Sequence, residues 1–140
     1  MDERWDRQAL QAGGAVSLVF AVPFSIGARL AADADNEALA LWLSLGALTG
    51  FMLGAGCAAW VQRVRLPFSH ALVSALVTYA GAQSVFIIVK LLRGGEVNWF
   101  GALFTGSAVA GVAMIGGWLG QRLQQKGFRP SMTAGGGPGR

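Results

Sequence analysis

The chain has 140 residues, of which 54% are of hydrophobic type and only 13% are charged. A soluble domain carries roughly 25% charge, so these values exclude an ordinary water-exposed globule. One cysteine, Cys57, and one histidine, His70, exclude an intramolecular disulfide, a thiolate zinc cluster and a multi-histidine metal site. The net charge of +4 resides in the breaks between apolar stretches and at the chain ends. That placement points to membrane topology and away from nucleic acid as a partner.

Residues 1–7 include five charged side chains and predict a short cytoplasmic N-terminus. Four stretches without Asp, Glu, Lys or Arg follow, over residues 8–28, 38–62, 66–89 and 97–121, with lengths of 21, 25, 24 and 25. About 20 apolar residues are enough for a helix to cross a hydrocarbon core of about 30 Å, and no ten-residue segment alternates with the period of a membrane strand. The spacing predicts helices over about 8–30, 37–62, 69–92 and 97–121, in a transmembrane domain of residues 8–125.

The first stretch is too long for a signal-peptide core and reads as a retained helix. Its Pro23 predicts a kink, with Ser25 placed to satisfy the freed backbone. An acidic turn, Ala-Asp-Ala-Asp-Asn-Glu, separates it from the second helix. A basic turn at residues 63–67 precedes the third, with Ser69 as the expected cap, and a Gly-Gly turn precedes the fourth, with Asn98 as its cap. Such short breaks predict an all-α, polytopic, antiparallel four-helix bundle. Residues 126–140 are glycine-rich with two prolines and read as a disordered cytoplasmic tail.

Orientation follows from Lys and Arg. With the N-terminus inside, Arg4, Arg7, Arg63, Arg65, Arg122, Lys126, Arg129 and Arg140 lie inside, against Arg29, Lys90 and Arg93 outside. Eight against three favours both termini in the cytoplasm and places the protein in the cell inner (cytoplasmic) membrane. Tryptophans give an independent ruler. Trp42 and Trp60 are 18 residues apart, and Trp99 and Trp118 are 19 apart. At 1.5 Å per residue those are separations of about 27 and 28 Å, close to the hydrocarbon thickness. Each pair is expected to anchor one helix at both interfaces.

Lipid gives helices no hydrophobic reason to associate, so small residues that let backbones approach become the packing signal. The second helix carries Gly46, Gly50 and Gly54 at four-residue spacing, continued by Ala58. The fourth carries Gly106, Ala110, Ala113, Gly117 and Gly120, and the first Gly13, Ser17, Ala21 and Ser25. These faces serve either the bundle itself or a contact with another chain. A shift of 60 residues superposes Gly46 on Gly106 and Gly56 on Gly116, which raises a duplication of two helices. The tryptophan pairs require shifts of 57 and 58, so the register is inconsistent.

Gln83, in the middle of the third helix, with Ser84 beside it and Thr78 and Tyr79 one turn earlier, is the candidate polar intramembrane site. It either lines a solute path or makes interhelical hydrogen bonds. His70 follows the basic turn, where it could sense pH or touch a phosphate headgroup. Cys57 reads as a buried, inert thiol. Arg63, Arg65 and Arg122 form a basic rim suited to anionic lipid headgroups. No carboxylate, Lys or Arg stands at mid-span, where one would mark an ion or proton path. In helix number and length the chain resembles the small multidrug exporters, but their pattern requires a glutamate inside the first helix, which is absent. The overall plan is similar to small four-helix membrane proteins of bacteria. The accessory protein I of ATP synthase operons also has similar size and topology, though no specific motif is shared.

The resulting expectation is a non-enzymatic structural, assembly or accessory component of a homo-oligomer or larger membrane complex, without cofactor or metal. Its partners would be the bilayer, anionic lipid, and a second copy or another membrane subunit. The alternative is a small channel or carrier for a neutral or weakly polar solute.

Overall fold

The computed structural model describes residues 5–128. Its charge-poor runs form four helices: α1 (Arg7–Asp33), α2 (Glu37–Val61), α3 (Pro67–Leu92) and α4 (Trp99–Gln125). All four are long and apolar enough to cross a membrane. Even the shortest, at 25 residues, spans about 38 Å.

Short polar side chains start three of the helices. The Asp6, Asn36 and Asn98 side chains accept the backbone N–H of Ala9, Leu39 and Gly101, each satisfying one orphan donor of a first turn. The start of α3 differs from the expectation that Ser69 caps it. Pro67 occupies the first helical position, where its missing N–H costs nothing, and Ser69 lies inside the helix. The preceding Leu66 N–H is accepted by Gln62 Oε1. α1 continues through Pro23 as one helix and ends at Asp33, so Arg29 belongs to it.

α4 begins at Trp99 and runs to Gln125, beyond the expected 97–121. Lys126–Phe128 then turn back in a left-handed closure. Gly127, at φ 81°, lets the Phe128 N–H reach the Leu123 carbonyl. The first residues expected in the tail are therefore part of the fold. The remainder of that tail, residues 129–140, and residues 1–4 lie outside the described residues.

The core reverses the usual sorting by size. Its buried members are mainly alanines, including Ala21, Ala55, Ala59, Ala71, Ala75 and Ala113, joined by Phe51 and Val109. The large side chains point outward: Leu92 is 83% exposed, Phe100 80% and Trp42 72%. A surface of that kind suits lipid, with close backbone approach in place of a bulky core.

α2 and α3 each touch all three other helices, α2 most extensively, whereas α1 and α4 do not meet. Towards α1, α2 presents the stripe Gly46, Gly50, Gly54 and Ala58. A Cβ on Gly50 would lie 2.7 Å from the Ala21 nitrogen, and one on Gly54 2.6 Å from the Gly13 carbonyl oxygen and against the Ser17 hydroxyl. Gly46 is covered by the Phe24 ring, and Gly13 by Ala58 and Ser74. Towards α4 a different residue is used: Gly56 meets Gly116, and Gly120 meets Gly56, Ala59 and Trp60.

The small residues of α4 divide between two neighbours. Gly116 and Gly120 face α2, while Gly106 faces the Tyr79 ring and Gly117 faces Ala71 and Phe68 of α3. Ala110, between them in sequence, is half-buried. Gly56 and Gly116 are equivalent under the 60-residue shift, and they touch each other. Gly46 and Gly106 are not used alike, since one meets Phe24 of α1 and the other Tyr79 of α3.

Candidate functional site

The two ends of the bundle are built differently. One end holds the described start of the chain, the α2–α3 turn and the close of α4, and hydrogen bonds tie these together. Asp6 caps α1 through Oδ1 and accepts the Arg63 N–H through Oδ2. The Asp6 N–H donates to His70 Nε2 at 3.0 Å, and His70 Nδ1 lies 2.8 Å from the Leu66 carbonyl oxygen. A carbonyl can only accept and an N–H can only donate, so this pairing defines the neutral imidazole with its proton on Nδ1.

His70 is completely buried, with the Trp5 ring tilted against it. It therefore cannot touch a headgroup, as its position after a basic turn suggested. Gln124 Nε2 donates to the carbonyls of Trp60 and Gln62, its Oε1 accepts from Gln62 Nε2, and Trp60 Nε1 donates to the Phe128 carbonyl. The buried side-chain polar atoms of this layer all have partners, and glycine and alanine pack closely beneath it.

The other end, which carries the α1–α2 and α3–α4 loops, is open. All four helices line a cavity of about 480 Å³ there, within the range of roughly 300–1,000 Å³ common to small-molecule sites. Phe51 and Tyr79, packed edge-to-face at 6.1 Å between ring centroids, and Val109 lie on its closed side. Leu48 and Phe104 extend the apolar wall, and Ser25, Arg29, Gln83 and Thr105 supply polar atoms. A smaller space of about 220 Å³ adjoins it. Arg29, Tyr79, Gln83, Phe86 and Thr105 line both, and Lys90 and Asn98 are added in the smaller one.

The polar candidates of α3 separate by face. Gln83 Oε1 accepts from the Arg29 guanidinium at 3.2 Å, and Tyr79 donates its hydroxyl to the Ala102 carbonyl at 2.7 Å; both line the cavity. Ser84 does not join them, because it is exposed and its hydroxyl donates to Ala80 of its own helix. Thr78 is also outside the site and faces Gly14 of α1. With about 3.6 residues per turn, positions 79 and 83 share a face while 78 and 84 fall to either side.

Arg29 is the residue the sequence reading missed. Counted only among the outside cations at the end of the first helix, it is exposed but lays its guanidinium over the Phe86 ring of α3, at 4.0 Å from the centroid. The available signal was length: a long side chain within the last turns of a helix leans back toward the N-terminus and reaches a level its Cα does not occupy.

The basic rim also divides. Arg63 and Arg65 are exposed on the α2–α3 turn, and Arg65 adopts φ 58°. Arg122 lies apart from them, over the Trp118 ring at 4.8 Å, and with Lys126 and half-buried Cys57 lines a groove between α2 and α4. Trp42, Trp99 and Trp118 are exposed, whereas Trp60 is tied to Phe128. Comparison of the chain with family models, curated proteins and solved structures gives no match.

Proposed function

We propose that this chain is a non-enzymatic, multi-pass protein of the cytoplasmic membrane that holds a small solute in the cavity at its outer end. The topology is an antiparallel bundle with both termini in the cytoplasm. Gly13 beside Gly54 and Gly27 beside Leu43 support opposed directions for α1 and α2, and eight cations against three support the orientation. Labelling single cysteines in a Cys57→Ser background tests it. Asp35→Cys is expected to react with an impermeant maleimide from outside intact cells, and Arg65→Cys only after permeabilisation. The reverse pattern overturns the orientation.

The observation that carries the binding reading is that all four helices converge on one cavity with polar atoms on an apolar wall, whereas the groove at the other end lies between α2 and α4 alone. No carboxylate, imidazole or thiol lines that cavity among the described residues, which supports binding or carriage over catalysis. Native mass spectrometry of the protein released from its membrane tests the reading. A small molecule is expected to accompany the chain and to be lost from Ala108→Phe, which fills the cavity. Unchanged occupancy in that variant refutes it.

A second reading, a subunit of a larger membrane assembly, is favoured by a different glycine from those the sequence suggested. Gly46, Gly50 and Gly54 are occupied within the chain. Gly111 of α4 has nothing within 4 Å of its Cβ position and lies one turn from exposed Ser107. A lipid-facing glycine has no packing role in a lone bundle. If assembly size in mild detergent is the same for Gly111→Leu as for the parent chain, that surface is not a subunit contact.

A further inference from the structure

The inference rests on the reading of the outer cavity as a small-molecule site and concerns the chemistry of its occupant. Gly27 lies against Leu43, the neighbour of Trp42, so the Arg29 backbone sits near the level of an interfacial tryptophan. A cation at that depth ordinarily extends toward water. Arg29 turns the other way, and its two partners, the Gln83 amide and the Phe86 ring, are both neutral.

Lys90 lines the smaller space beside it. No carboxylate lines either space among the described residues. A guanidinium has five N–H donors, and Gln83 takes one. Both side chains are exposed at the cavity's edge, and two cations with donors to spare beside an apolar cavity suit the charge-assisted hydrogen bonds of an anion. The planar fork of Arg matches the oxygens of a carboxylate or phosphate.

We propose that the two spaces form one site for an amphiphile with a single oxyanion head, carboxylate or phosphate, and one apolar chain. The head lies between Arg29 and Lys90, bonded also by Gln83. The chain lies in the larger cavity against Leu48, Phe51, Phe104 and Val109. Tyr79, its hydroxyl already given to Ala102, contributes its ring to the wall.

The test uses the full chain in phosphatidylcholine nanodiscs, titrated with dodecanoate, dodecyl phosphate and dodecanol, with binding to empty discs subtracted. Saturable binding of at least one of the two anions is expected, with dodecanol about tenfold weaker or worse, as the loss of a charge-assisted hydrogen bond implies. Whichever anion binds more tightly identifies a fatty-acid-like or a phosphate-bearing source, and either preference supports the proposal. Arg29→Gln is expected to weaken anion binding about tenfold and leave dodecanol unchanged, while Arg29→Lys, which keeps the charge but loses the planar fork, falls between the two. Arg65→Gln, at the opposite end, removes the same net charge and is expected to change nothing. Dodecanol binding as well as dodecanoate, or no effect of Arg29→Gln, overturns the anion proposal and leaves the cavity reading standing. No saturable binding of any of the three overturns both.

Discussion

Adding one methyl group to Gly54 of α2 tests the packing argument directly. Its Cβ would lie against the Ser17 hydroxyl, 2.6 Å from the Gly13 carbonyl oxygen and 2.9 Å from the Ser17 nitrogen. Two of those three are backbone atoms, which a rotamer change cannot move, so α1 itself must shift away. Overpacking of this kind costs about 1–3 kcal/mol, and the rigid neighbours place Gly54→Ala at the upper end. Against this, Ala is favoured over Gly in a helix by about 0.8–1.0 kcal/mol.

Gly111→Ala supplies the reference, because it carries the same propensity gain and meets nothing. The difference between the two variants therefore reads the packing cost alone, about 3 kcal/mol. Reversible unfolding by sodium dodecyl sulfate, followed by tryptophan fluorescence, measures it. Ser17→Gly in the Gly54→Ala background is expected to recover only part of the loss, since the Gly13 carbonyl remains. Equal stability of Gly54→Ala and Gly111→Ala would refute the claim that α1 and α2 are held by backbone approach.

Three further outcomes follow from the hydrogen bonds. Tyr79→Phe removes the bond to the Ala102 carbonyl and is expected to cost about 0.6–1.7 kcal/mol in the same assay, the range for interhelical bonds in membranes; a neutral effect would mean that the bond adds nothing. His70→Phe leaves the Asp6 N–H without its acceptor, and hydrogen exchange at that amide is expected to rise while mid-helix amides of α3 keep their protection. Gln124→Leu removes all the Gln124 side-chain bonds linking α4 to Trp60 and Gln62 and is expected to destabilise by about 1–3 kcal/mol through the carbonyls left unpaired, against no change for Gln125→Leu, whose side chain is exposed.

The helices were legible because each is an uninterrupted charge-free run bounded by turn residues, a pattern that depends only on neighbours in sequence. Asn98 is recognisable as a cap on the same local grounds, and its side chain accepts the Gly101 N–H. Ser69 failed because two residue types were both eligible to start α3, and Pro67, needing no partner, began it earlier. The site was half legible. Gln83 and Tyr79 stand out as polar residues in apolar surroundings, but Thr78 and Ser84 were grouped with them by adjacency, although a helix sends adjacent residues to different faces. The inward lean of Arg29 had a local signal in its length and place near a helix end, but its partners on α3, the place of Lys90 and the burial of His70 depend on which segments of chain come together, and no window of sequence contains that information. The glycines show the same boundary. Four-residue spacing identified small faces, yet only the fold shows that Gly54 meets α1 while Gly56, two residues on, meets α4.

That α2 touches every other helix while α1 and α4 never meet has a consequence for biogenesis. Domains and hairpins emerging from the ribosome form in chain order, and the α1–α2 hairpin contains its whole tightest interface within the first 61 residues. It can close before α3 and α4 have been made. The second pair then docks on α2 around Gly56 and, through α3, on α1 around Gly13. A chain halted after the basic turn is thus expected to hold a settled pair of helices, whereas one deprived of α1 loses the platform on which the others settle. The four-helix cavity is therefore the last part of the molecule to exist.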